Sequence, residues 1–480
     1  MLRRCTVKEH AMYEFLLPED FLIGTANSAF QSEGAWDRDG KSESLMDYYA
    51  RTFAGKYSPG TDPNKQDNKV PGRRTKPNSE ELPDRGCFFY DNYEAYIEDM
   101  QKTGQSVYRL SISWPRIVPT GVGEVNPKGI EFYNKVINKL LACNITPFVD
   151  LYHWDMPMCL QEKGGFANPE FPEWFEAYAK VCFETFGDRV KLWSTFNEAQ
   201  ISIYNGYCAG TFPPFKQDRK ESLLAAHYNL LAHFRAVKLY KSMNLGGQIG
   251  AVNCIPAIMP ARMVEEDYES AERRKDWYFG WWTQPMMEGT YPQKVIRDCK
   301  AIRENMPENY QEDLDKWFVP MDFIGINYYV TRRVKYKEDT LVKASNVFDF
   351  FSQPGKWFEG YPAGIADVVL RTRERYGDDV EMYITENGCA LQNINDPEKE
   401  CDDDERIHYI REHLRMIYRL IKMGVKVKGY YYWNDADSYE AMSGYFLRFG
   451  LTWVDHKTGE RRWKKSRHWF SNVCKTRILD

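Results

Sequence analysis

The stretch Val380-Glu381-Met382-Tyr383-Ile384-Thr385-Glu386-Asn387-Gly388 predicts a β-strand that runs into an abrupt turn. Its tyrosine and isoleucine favour the pleated half, and Asn-Gly supplies residues that tolerate a positive φ just beyond it. Glu386 stands where strand becomes loop, which in a parallel α/β protein is the rim where ligands bind. Glu198 has the same setting at the end of Val190-Lys191-Leu192-Trp193-Ser194-Thr195-Phe196-Asn197-Glu198. Two carboxylates on two strand ends therefore form the starting hypothesis about function.

Short β-rich runs alternate with longer helical patterns along the whole chain. Eight strands are predicted, at residues 21–26, 107–112, 146–151, 190–196, 248–253, 322–327, 380–385 and 428–432. Apolar residues at i, i+3, i+4 and i+7 predict helices between them, as at Tyr93, Tyr96, Ile97 and Met100. Eight strands with intervening helices favour an α/β fold, a closed (β/α)8 barrel, over the alternative of an open doubly wound sheet.

Residues 1–480 are predicted to form a single (β/α)8 domain with long rim loops, because no shift in composition marks a second domain. Residues 1–15 are expected to be an N-terminal extension, and residues 456–480 a C-terminal tail that packs on the barrel. Residues 57–83, rich in Pro, Gly, Asn and charge, are interpreted as a surface loop after the first strand. Residues 335–358 are interpreted as an insertion whose aromatic side chains overhang the rim.

The composition argues against several kinds of partner. A hydrophobic fraction of 43% supplies a large core, and a net charge of −5, spread along the chain, argues against nucleic acid as the main partner. No window approaches the roughly 18 consecutive apolar residues of a transmembrane helix. We therefore expect no membrane partner.

The N-terminus and the cysteines bear on the compartment. Arg3 and Arg4 are not followed by an apolar stretch, so the sequence as written predicts a cytoplasmic protein, or a secreted one if the N-terminus is incomplete. The 11 cysteines contain no CxxC pair and are expected to be reduced core thiols. The sequon Asn144-Ile145-Thr146 carries little weight, because it leads directly into a predicted buried strand.

A polar or aromatic side chain able to bind a ligand follows each of the eight predicted strands. In chain order these residues are Gln31 and Glu33, Trp114 and Arg116, His153 with Trp154 and Asp155, Asn197 with Glu198, Asn253, Asn327 with Tyr329, Glu386, and Trp433. Any one of them is more often structural, but eight together predict one ringed pocket. Amides, His, Tyr and Trp suit a neutral polyhydroxyl ligand that is hydrogen-bonded at its edges and stacked on an aromatic face.

Two carboxyl groups around the anomeric carbon of a sugar can hydrolyse a glycosidic bond if one is protonated and the other ionised. Glu198 follows the apolar run 193–196, and such desolvation raises a carboxyl pKa, which suits the acid. Glu386 needs a neighbouring cation and a hydrogen-bond donor, and Arg109 and Tyr329 are the candidates. Taken alone, each glutamate is more often a structural ion pair or a solvated rim charge.

No metal or cofactor is expected. The chain has no HxxxH, HExxH or clustered Cys/His spacing, and no Gly-rich phosphate cradle. His153 is expected to bond a hydroxyl group rather than a metal. A serine-based triad has no support either, because no G-x-S-x-G elbow is present.

Seven blocks, in order along the chain, resemble glycoside hydrolase family 1, the β-glucosidase family. They run over nearly the whole chain, and all of them together are far more specific than any single one. The blocks are FQSEGAW at 30–36, YRLSISWPR at 108–116, LYHWD at 151–155, TFNE at 195–198, GINYY at 325–329, ITENG at 384–388 and RFGL at 448–451.

The resemblance implies a (β/α)8 barrel that hydrolyses a small-molecule β-glycoside with retention, through a covalent glycosyl-enzyme and without a cofactor. By the same resemblance Glu386 is the nucleophile and Glu198 the general acid/base, and Arg109 and Tyr329 flank the nucleophile. The implied substrate-binding residues are Gln31, His153, Asn197, Asn327, Trp433, Glu440 and Ala441.

Three departures from the family pattern bear on specificity. Ala199 stands where the family has proline, and proline would hold Glu198 extended, so we expect the acid to be less rigidly placed. Ala441 stands where the family has a tryptophan, and is expected to leave space and to remove an indole donor. The run Asn434-Asp435-Ala436 replaces a more apolar one.

These departures leave alternatives open beside a β-glucosidase. One is altered glycone specificity, for a β-galactoside, a β-fucoside or a thioglucoside. A phosphorylated sugar is disfavoured, because the Glu440 carboxylate would repel phosphate. Another is a catalytically weak, glycosidase-like binding protein, against which stands the presence of both Glu198 and Glu386.

Overall fold

The structure is a computed structural model, and it describes residues 15–56, 80–338, 340, 342, 344–347, 361–441 and 443–480. The N-terminal extension, the loop predicted at 57–83 and the insertion predicted at 335–358 lie wholly or largely outside the described residues.

Eight parallel strands close into a barrel at the centre of the molecule. They are β1 Leu22–Ala26, β2 Val107–Ser111, β3 Thr146–Tyr152, β4 Leu192–Asn197, β5 Gln248–Cys254, β6 Ile324–Asn327, β7 Met382–Asn387 and β8 Val427–Trp433. Each pairs with its neighbours in chain order, and β8 closes on β1, with Leu22 opposite Gly429 and Ala26 opposite Trp433. The predicted closed (β/α)8 barrel is confirmed, and the open-sheet alternative is wrong.

Helices surround the barrel and connect its strands. The longer ones are Leu45–Thr52, Phe89–Thr103, Pro127–Ala142, Phe171–Phe186, Arg219–Ser242, Glu265–Lys275, Trp281–Glu288, Tyr310–Trp317, Ala363–Tyr376, Asp404–Lys422 and Lys465–Thr476. In Phe89–Thr103 the predicted apolar face is real, since Tyr96, Ile97 and Met100 are buried.

Shorter elements decorate the two ends of the barrel. The short helices are Ala29–Ser32, Trp114–Ile117, Met158–Glu162, Gly165–Ala167, Ile201–Cys208, Asp276–Gly280, Gln293–Asp298, Lys300–Arg303 and Pro397–Cys401. The small sheets are Ala257–Pro260 with Thr331–Tyr336 and Ala344–Val347, Leu391–Gln392 with Leu447–Arg448, and Thr452–Val454 with Arg461–Trp463.

Four strands begin later than the sequence predicted, β1 by one residue and β4, β6 and β7 by two, and hydrogen bonds explain the later starts of β4 and β6. Val190 donates its backbone N–H to Phe186 and so completes the end of a helix rather than starting β4. The Asp322 carboxylate accepts a hydrogen bond from the backbone of Ile249, at 2.9 Å, and precedes β6. At Val190 a helical hydrogen bond to Phe186, and at Asp322 a hydrogen bond from Ile249 of β5, override the local strand propensity.

The inward side chains of the barrel form two layers of opposite character. The lower layer is apolar and includes Phe148, Phe323 and Tyr383, whose rings meet edge to face with centroids 4.9–6.1 Å apart. Two residues further along β3 the inward side chain is Asp150, and two residues further along β2 from Val107 it is Arg109. Because side chains alternate along a strand, residues two apart point to the same side. The next inward residue after the apolar layer therefore belongs to a polar layer above it.

The two ends of the described chain meet on the outside of the barrel. Leu17 donates its backbone N–H to Arg477, and Leu16 pairs with Ile478. The helix Lys465–Thr476 packs against Phe89–Thr103 and Asp404–Lys422. Across the ranges that the structure describes, no helix is long and apolar enough to cross a membrane, and the described cysteines are all free thiols.

Candidate active site

Glu198 lies immediately after β4 and is 6% exposed. Its φ is +50°, and the pairing of β4 with β5 shifts register between Ser194 and Asn197. The backbone N–H of Glu198 donates to Val252 at 2.8 Å, and one carboxyl oxygen accepts from Nδ2 of Asn327 at 2.9 Å. The structure thus differs from the expectation of a loosely placed acid, since hydrogen bonds to β5 and β6 fix both the backbone and the side chain.

Glu386 lies within β7 rather than in the loop beyond it, and is 4% exposed. Its Oε1 accepts from Nη1 of Arg109 at 2.7 Å, and its Oε2 accepts from the hydroxyl of Tyr329 at 2.6 Å. Both of the partners expected from the sequence are therefore in contact with the carboxylate. A cation and a hydroxyl donor hold this carboxylate in one orientation.

Asn327, at the end of β6, ties the two glutamate strands together. Its Nδ2 lies 3.0 Å from Oδ1 of Asn197 and 2.9 Å from Glu198, so one amide group donates to both. Its own oxygen accepts from the Thr385 hydroxyl at 2.8 Å, one residue before Glu386. The amide therefore fixes the relative placement of the β4 and β7 ends.

The environment of Glu198 favours its protonated form. Burial raises the pKa of this carboxyl well above its usual range, and the charge of Glu386 raises it further. The hydrogen bond from Asn327, the charge of Arg109 and the neighbouring thiol of Cys254 act in the opposite direction but do not prevail. The desolvation predicted from the apolar run before Glu198 is confirmed.

His153 and Trp433 form one wall above the carboxyl groups. Their rings stack with centroids 5.6 Å apart at an interplanar angle of 24°. Nδ2 of Asn197 lies 2.9 Å from Nε2 of His153, and the Trp433 indole donates to Glu440 at 3.4 Å. Burial raises the pKa of Glu440 to about 8, and the charge of Glu386 adds to this.

Gln31 is held on the neighbouring side of the same opening. Its Oε1 accepts from the Ser28 hydroxyl at 2.8 Å, which leaves its NH₂ group to face Glu440. Trp154 donates its indole N–H to the backbone oxygen of Asn197 at 3.2 Å. Amide, imidazole, indole and carboxyl groups thus converge on one place, as the sequence predicted for a polyhydroxyl ligand.

Ala441 does not open free space as expected. It is 8% exposed and packs in a cluster with Phe30, Phe212, Tyr439 and Tyr445. Phe30 and Phe212 from distant parts of the chain, and Tyr439 and Tyr445 from the segment of Ala441 itself, surround the small residue. As expected from the sequence, position 441 offers no indole N–H donor.

Four of the predicted rim positions do not belong to the site. Glu33 and Arg116 form a buried ion pair with each other at 3.0 Å, and Trp114 stacks on Tyr178 with centroids 4.8 Å apart. The Asn253 amide donates to the Thr283 hydroxyl at 3.0 Å. The prediction of a ligand-binding residue at all eight strand ends is wrong, because these side chains find partners that are remote in sequence.

Asp155 is likewise buried away from the carboxyl pair. It lies beside the main-chain turn that follows His153 and lines a small cavity with Glu33, Lys41 and Asp47. Burial raises its pKa to about 7. Its place beneath the rim indicates a structural role.

Sequence reasoning missed three polar residues inside the barrel. Asp150 on β3 contacts Arg109, Ser194 on β4 donates to Asp150, and Cys254 ends β5 beside Glu198. Following the inward period of β3 from Phe148 would have placed Asp150 in the barrel. Within the described ranges, no group of three or more His, Cys, Asp or Glu residues could hold a metal ion.

Comparisons with known proteins agree on one family. The model of glycosyl hydrolase family 1 matches residues 13–478. β-Glucosidase A of Thermotoga maritima is 37% identical over 464 residues, which cover 96% of this chain and 98% of that protein. The 6-phospho-β-glucosidase GmuD of Bacillus subtilis is 35% identical, over 96% of this chain and 98% of its own.

A solved structure gives the same result in three dimensions. A β-glucosidase from Thermotoga maritima in complex with glucoimidazole superimposes with a TM-score of 0.85 at 36% sequence identity. The match covers 96% of this chain and 99% of that one.

Proposed function

The chain belongs to glycosyl hydrolase family 1, a family of retaining O-glycosidases, and on that premise we propose that it hydrolyses small β-glucosides with Glu386 as nucleophile and Glu198 as general acid/base. One observation carries the assignment of roles. The two carboxyl groups stand in opposite environments, since Arg109 and Tyr329 bind Glu386 while burial favours a protonated Glu198. One carboxyl group that keeps its proton, and a second that a cation and a hydroxyl donor hold in place, suit an acid and a nucleophile.

In the first step the Glu386 carboxylate attacks the anomeric carbon and forms a glycosyl ester. The bond to the leaving oxygen breaks, and that oxygen takes the proton of Glu198. Arg109 and Tyr329 orient Glu386 for the attack, and Asn327 holds the Glu198 carboxyl. The step leaves an ionised Glu198 beside a neutral ester.

In the second step Glu198 acts as a base. It takes a proton from water, the hydroxide oxygen attacks the anomeric carbon, and the ester bond to Glu386 breaks. Formation of the ester removes the negative charge of Glu386, which had raised the pKa of Glu198. The same residue therefore serves as acid before the ester forms and as base afterwards.

The glycone is proposed to bind between the wall of Trp433 and the polar groups that surround it. Gln31, His153 and Asn197 offer donors and acceptors to hydroxyl groups, and Glu440 offers a carboxyl at the base of the tryptophan. The Trp433 face supplies the stacking surface that a sugar ring uses. The β-glucosidases among the relatives support glucose as this sugar.

Altered glycone specificity is the second candidate, and Ala441 is the observation that favours it. The residue offers no indole donor, and aromatic side chains surround it. Rates on a β-fucoside and a β-galactoside, compared with the rate on a β-glucoside, would show how strongly position 441 restricts the choice of glycone. A 6-phosphosugar is disfavoured above the raised pKa of Glu440, about 8, where its carboxylate and a phosphate beside it would leave two anions in a partly buried place.

The test is to measure initial rates on nitrophenyl β-glucoside, β-galactoside, β-fucoside and 6-phospho-β-glucoside. We expect turnover of an unphosphorylated glycoside and a loss of about 10⁴-fold or more in Glu386→Gln. Glu381→Gln is the matched control, because Glu381 stands at the other end of the same strand and bonds Gln248 and Lys428. A Glu386→Gln variant as fast as wild type would refute the mechanism, and sugar binding without turnover would support the binding-protein alternative.

A further inference from the structure

Asp150 is a third carboxylate inside the barrel, and it lies at the centre of β3 with no exposed surface. Its Oδ2 lies 2.6 Å from Nη2 of Arg109, and its Oδ1 accepts from Nε of Arg109 at 3.2 Å. The hydroxyl of Ser194 donates to the same Oδ1. The carboxylate is therefore bound from β2 and from β4, one strand on either side of its own.

Arg109 connects Asp150 to the proposed nucleophile. Its Nη1 donates to Oε1 of Glu386 at 2.7 Å and to the backbone oxygen of Thr385 at 3.2 Å, and its Nη2 donates to Oδ1 of Asn197 at 2.6 Å. A guanidinium group is a planar, rigid fork with five donors. Fixing one end of the fork at Asp150 therefore fixes where the other end meets Glu386.

The charges in this layer are unbalanced. Arg109 carries one positive charge and contacts two carboxylates, Glu386 and Asp150, at 2.7 and 2.6 Å. Because these two carboxylates already compensate the charge of Arg109, Arg109 stabilises an ionised Glu198 only weakly. A third negative charge in the same buried layer would be costly, because buried like charges disfavour ionisation.

We propose that Asp150 is a positioning residue for the reaction: it fixes the Arg109 fork against Glu386, and its negative charge helps to keep the proton on Glu198 until the leaving oxygen takes it. The inference rests on the proposed function of the two glutamates. Two observations support this proposal. Arg109 forms one ion pair with Asp150 and another with Glu386, and Asp150 is completely buried.

The groups around Asp150 define the direction of the expected pH effect. Arg109 on β2, Nδ1 of His153 at 3.6 Å and Tyr431 on β8 are the charged or titratable groups that face it. Glu198 is faced by Glu386, Arg109, Cys254 and Tyr329. Replacing Asp150 by a neutral residue releases part of the Arg109 charge, and the remaining carboxyl groups then ionise more easily.

The decisive measurement is the pH profile of kcat/KM for nitrophenyl β-glucoside in Asp150→Asn. We expect the alkaline limb, which reports the acid, to move to lower pH by about 0.5 to 1 unit. We also expect kcat to fall by about 100-fold, because a displaced Arg109 fork misplaces Glu386. Asp150→Glu keeps the charge and is expected to keep the alkaline limb near its wild-type position.

Asp403→Asn is the matched control. Asp403 is as deeply buried as Asp150 and pairs with Arg406 at 2.8 Å, but it lies outside the site. We expect it to lower stability and to leave the pH profile of kcat/KM in place. If Asp150→Asn gives a profile that superimposes on that of wild type, the inference is overturned, whatever happens to kcat.

Two further measurements keep the test decisive. If Asp150→Asn does not fold, Ser194→Ala removes the hydrogen bond to Asp150 but leaves its charge, and a kcat unchanged from wild type would refute positioning. If wild type shows no turnover, the proposed function fails by itself. In that case the test is the ¹³C carboxyl resonance of Glu198, which is assigned by its absence from Glu198→Gln. Its titration midpoint must be lower in Asp150→Asn than in wild type for the inference to stand.

Discussion

Two buried clusters of charge, both within the described residues, differ in the balance of acid and base. The site cluster holds three carboxyl groups around one cation: Glu198, Glu386, Asp150 and Arg109. The tail cluster, which joins the segment after β8 to the C-terminal helix, holds three of each sign: Glu400, Asp435, Asp437, Arg448, Lys464 and Arg467.

The difference has a direct electrostatic consequence. Burial alone would raise the pKa of Asp437, but Lys464 and Arg448 hold it below its usual range. In the site cluster Glu198 has no cation to itself, and its pKa is raised. A balanced buried cluster fixes structure, whereas a surplus of carboxyl groups retains a proton that chemistry can use.

After the loss of the nucleophile, the largest expected effect comes from removing the proton donor. Glu198→Gln should lower kcat/KM for an alkyl β-glucoside by about 10² to 10⁴-fold, the usual contribution of a general acid. The loss of kcat/KM should be much smaller for a dinitrophenyl glucoside, whose leaving group needs no proton. The check is to measure kcat/KM of wild type and Glu198→Gln on both substrates. An equal loss of kcat/KM for the two substrates would show that Glu198 is not the acid.

Breaking the tail cluster should affect stability and not chemistry. Asp437→Asn removes the carboxylate that pairs with Lys464 and leaves Arg448 with Glu400 alone, and removing one partner of a buried pair costs about 3–5 kcal/mol. Urea unfolding measures the loss, and kcat/KM of the folded variant should equal that of wild type. Asp379→Asn, which breaks an exposed pair with Lys426, is the control and should leave the unfolding free energy nearly unchanged.

The Glu440 carboxyl, which lies in the site, is expected to lower the folding stability of the protein when it is ionised. Its pKa in the folded protein, about 8, lies above the value for an unfolded chain, so the folded state binds its proton more tightly. Folding stability is therefore lost as pH rises between the two values. Glu440→Gln should be more stable than wild type at alkaline pH, by about 1–2 kcal/mol after discounting for its partial exposure.

The measurement is urea unfolding of both proteins at mildly acidic and at alkaline pH. The advantage of Glu440→Gln should grow with pH. An advantage that is the same at both pH values, or that reverses, would contradict the raised pKa.

The smallest effect is expected at Cys254. A hydroxyl is a stronger hydrogen-bond donor than a thiol, so Cys254→Ser should stabilise the ionised form of Glu198. The alkaline limb of kcat/KM should move to lower pH by about half a unit. Cys143→Ser, after the helix Pro127–Ala142, is the control, and a shift of the same size there would assign the effect to something other than contact with Glu198.

The sequence predicted the barrel because the alternation of strands and helices is local information. The two glutamates and Tyr329 were found for a related reason: a strand end projects toward the rim wherever it stands in the chain. Arg109 was found because it shares the inward face of β2 with Val107 and Ser111. Asp150 was missed because its importance lies in a partner on another strand. Asn253 was placed in the site wrongly because Thr283, which takes its amide, is remote in sequence.

The apolar floor has a consequence for the traffic of molecules. Phe148, Phe323, Tyr383 and Tyr431 close the barrel beneath the polar layer, so the reaction chamber is a dead end. If the chain hydrolyses a glycoside as proposed, the sugar to be cleaved enters through the open end of the barrel, and the aglycone and the freed sugar both leave through that same opening.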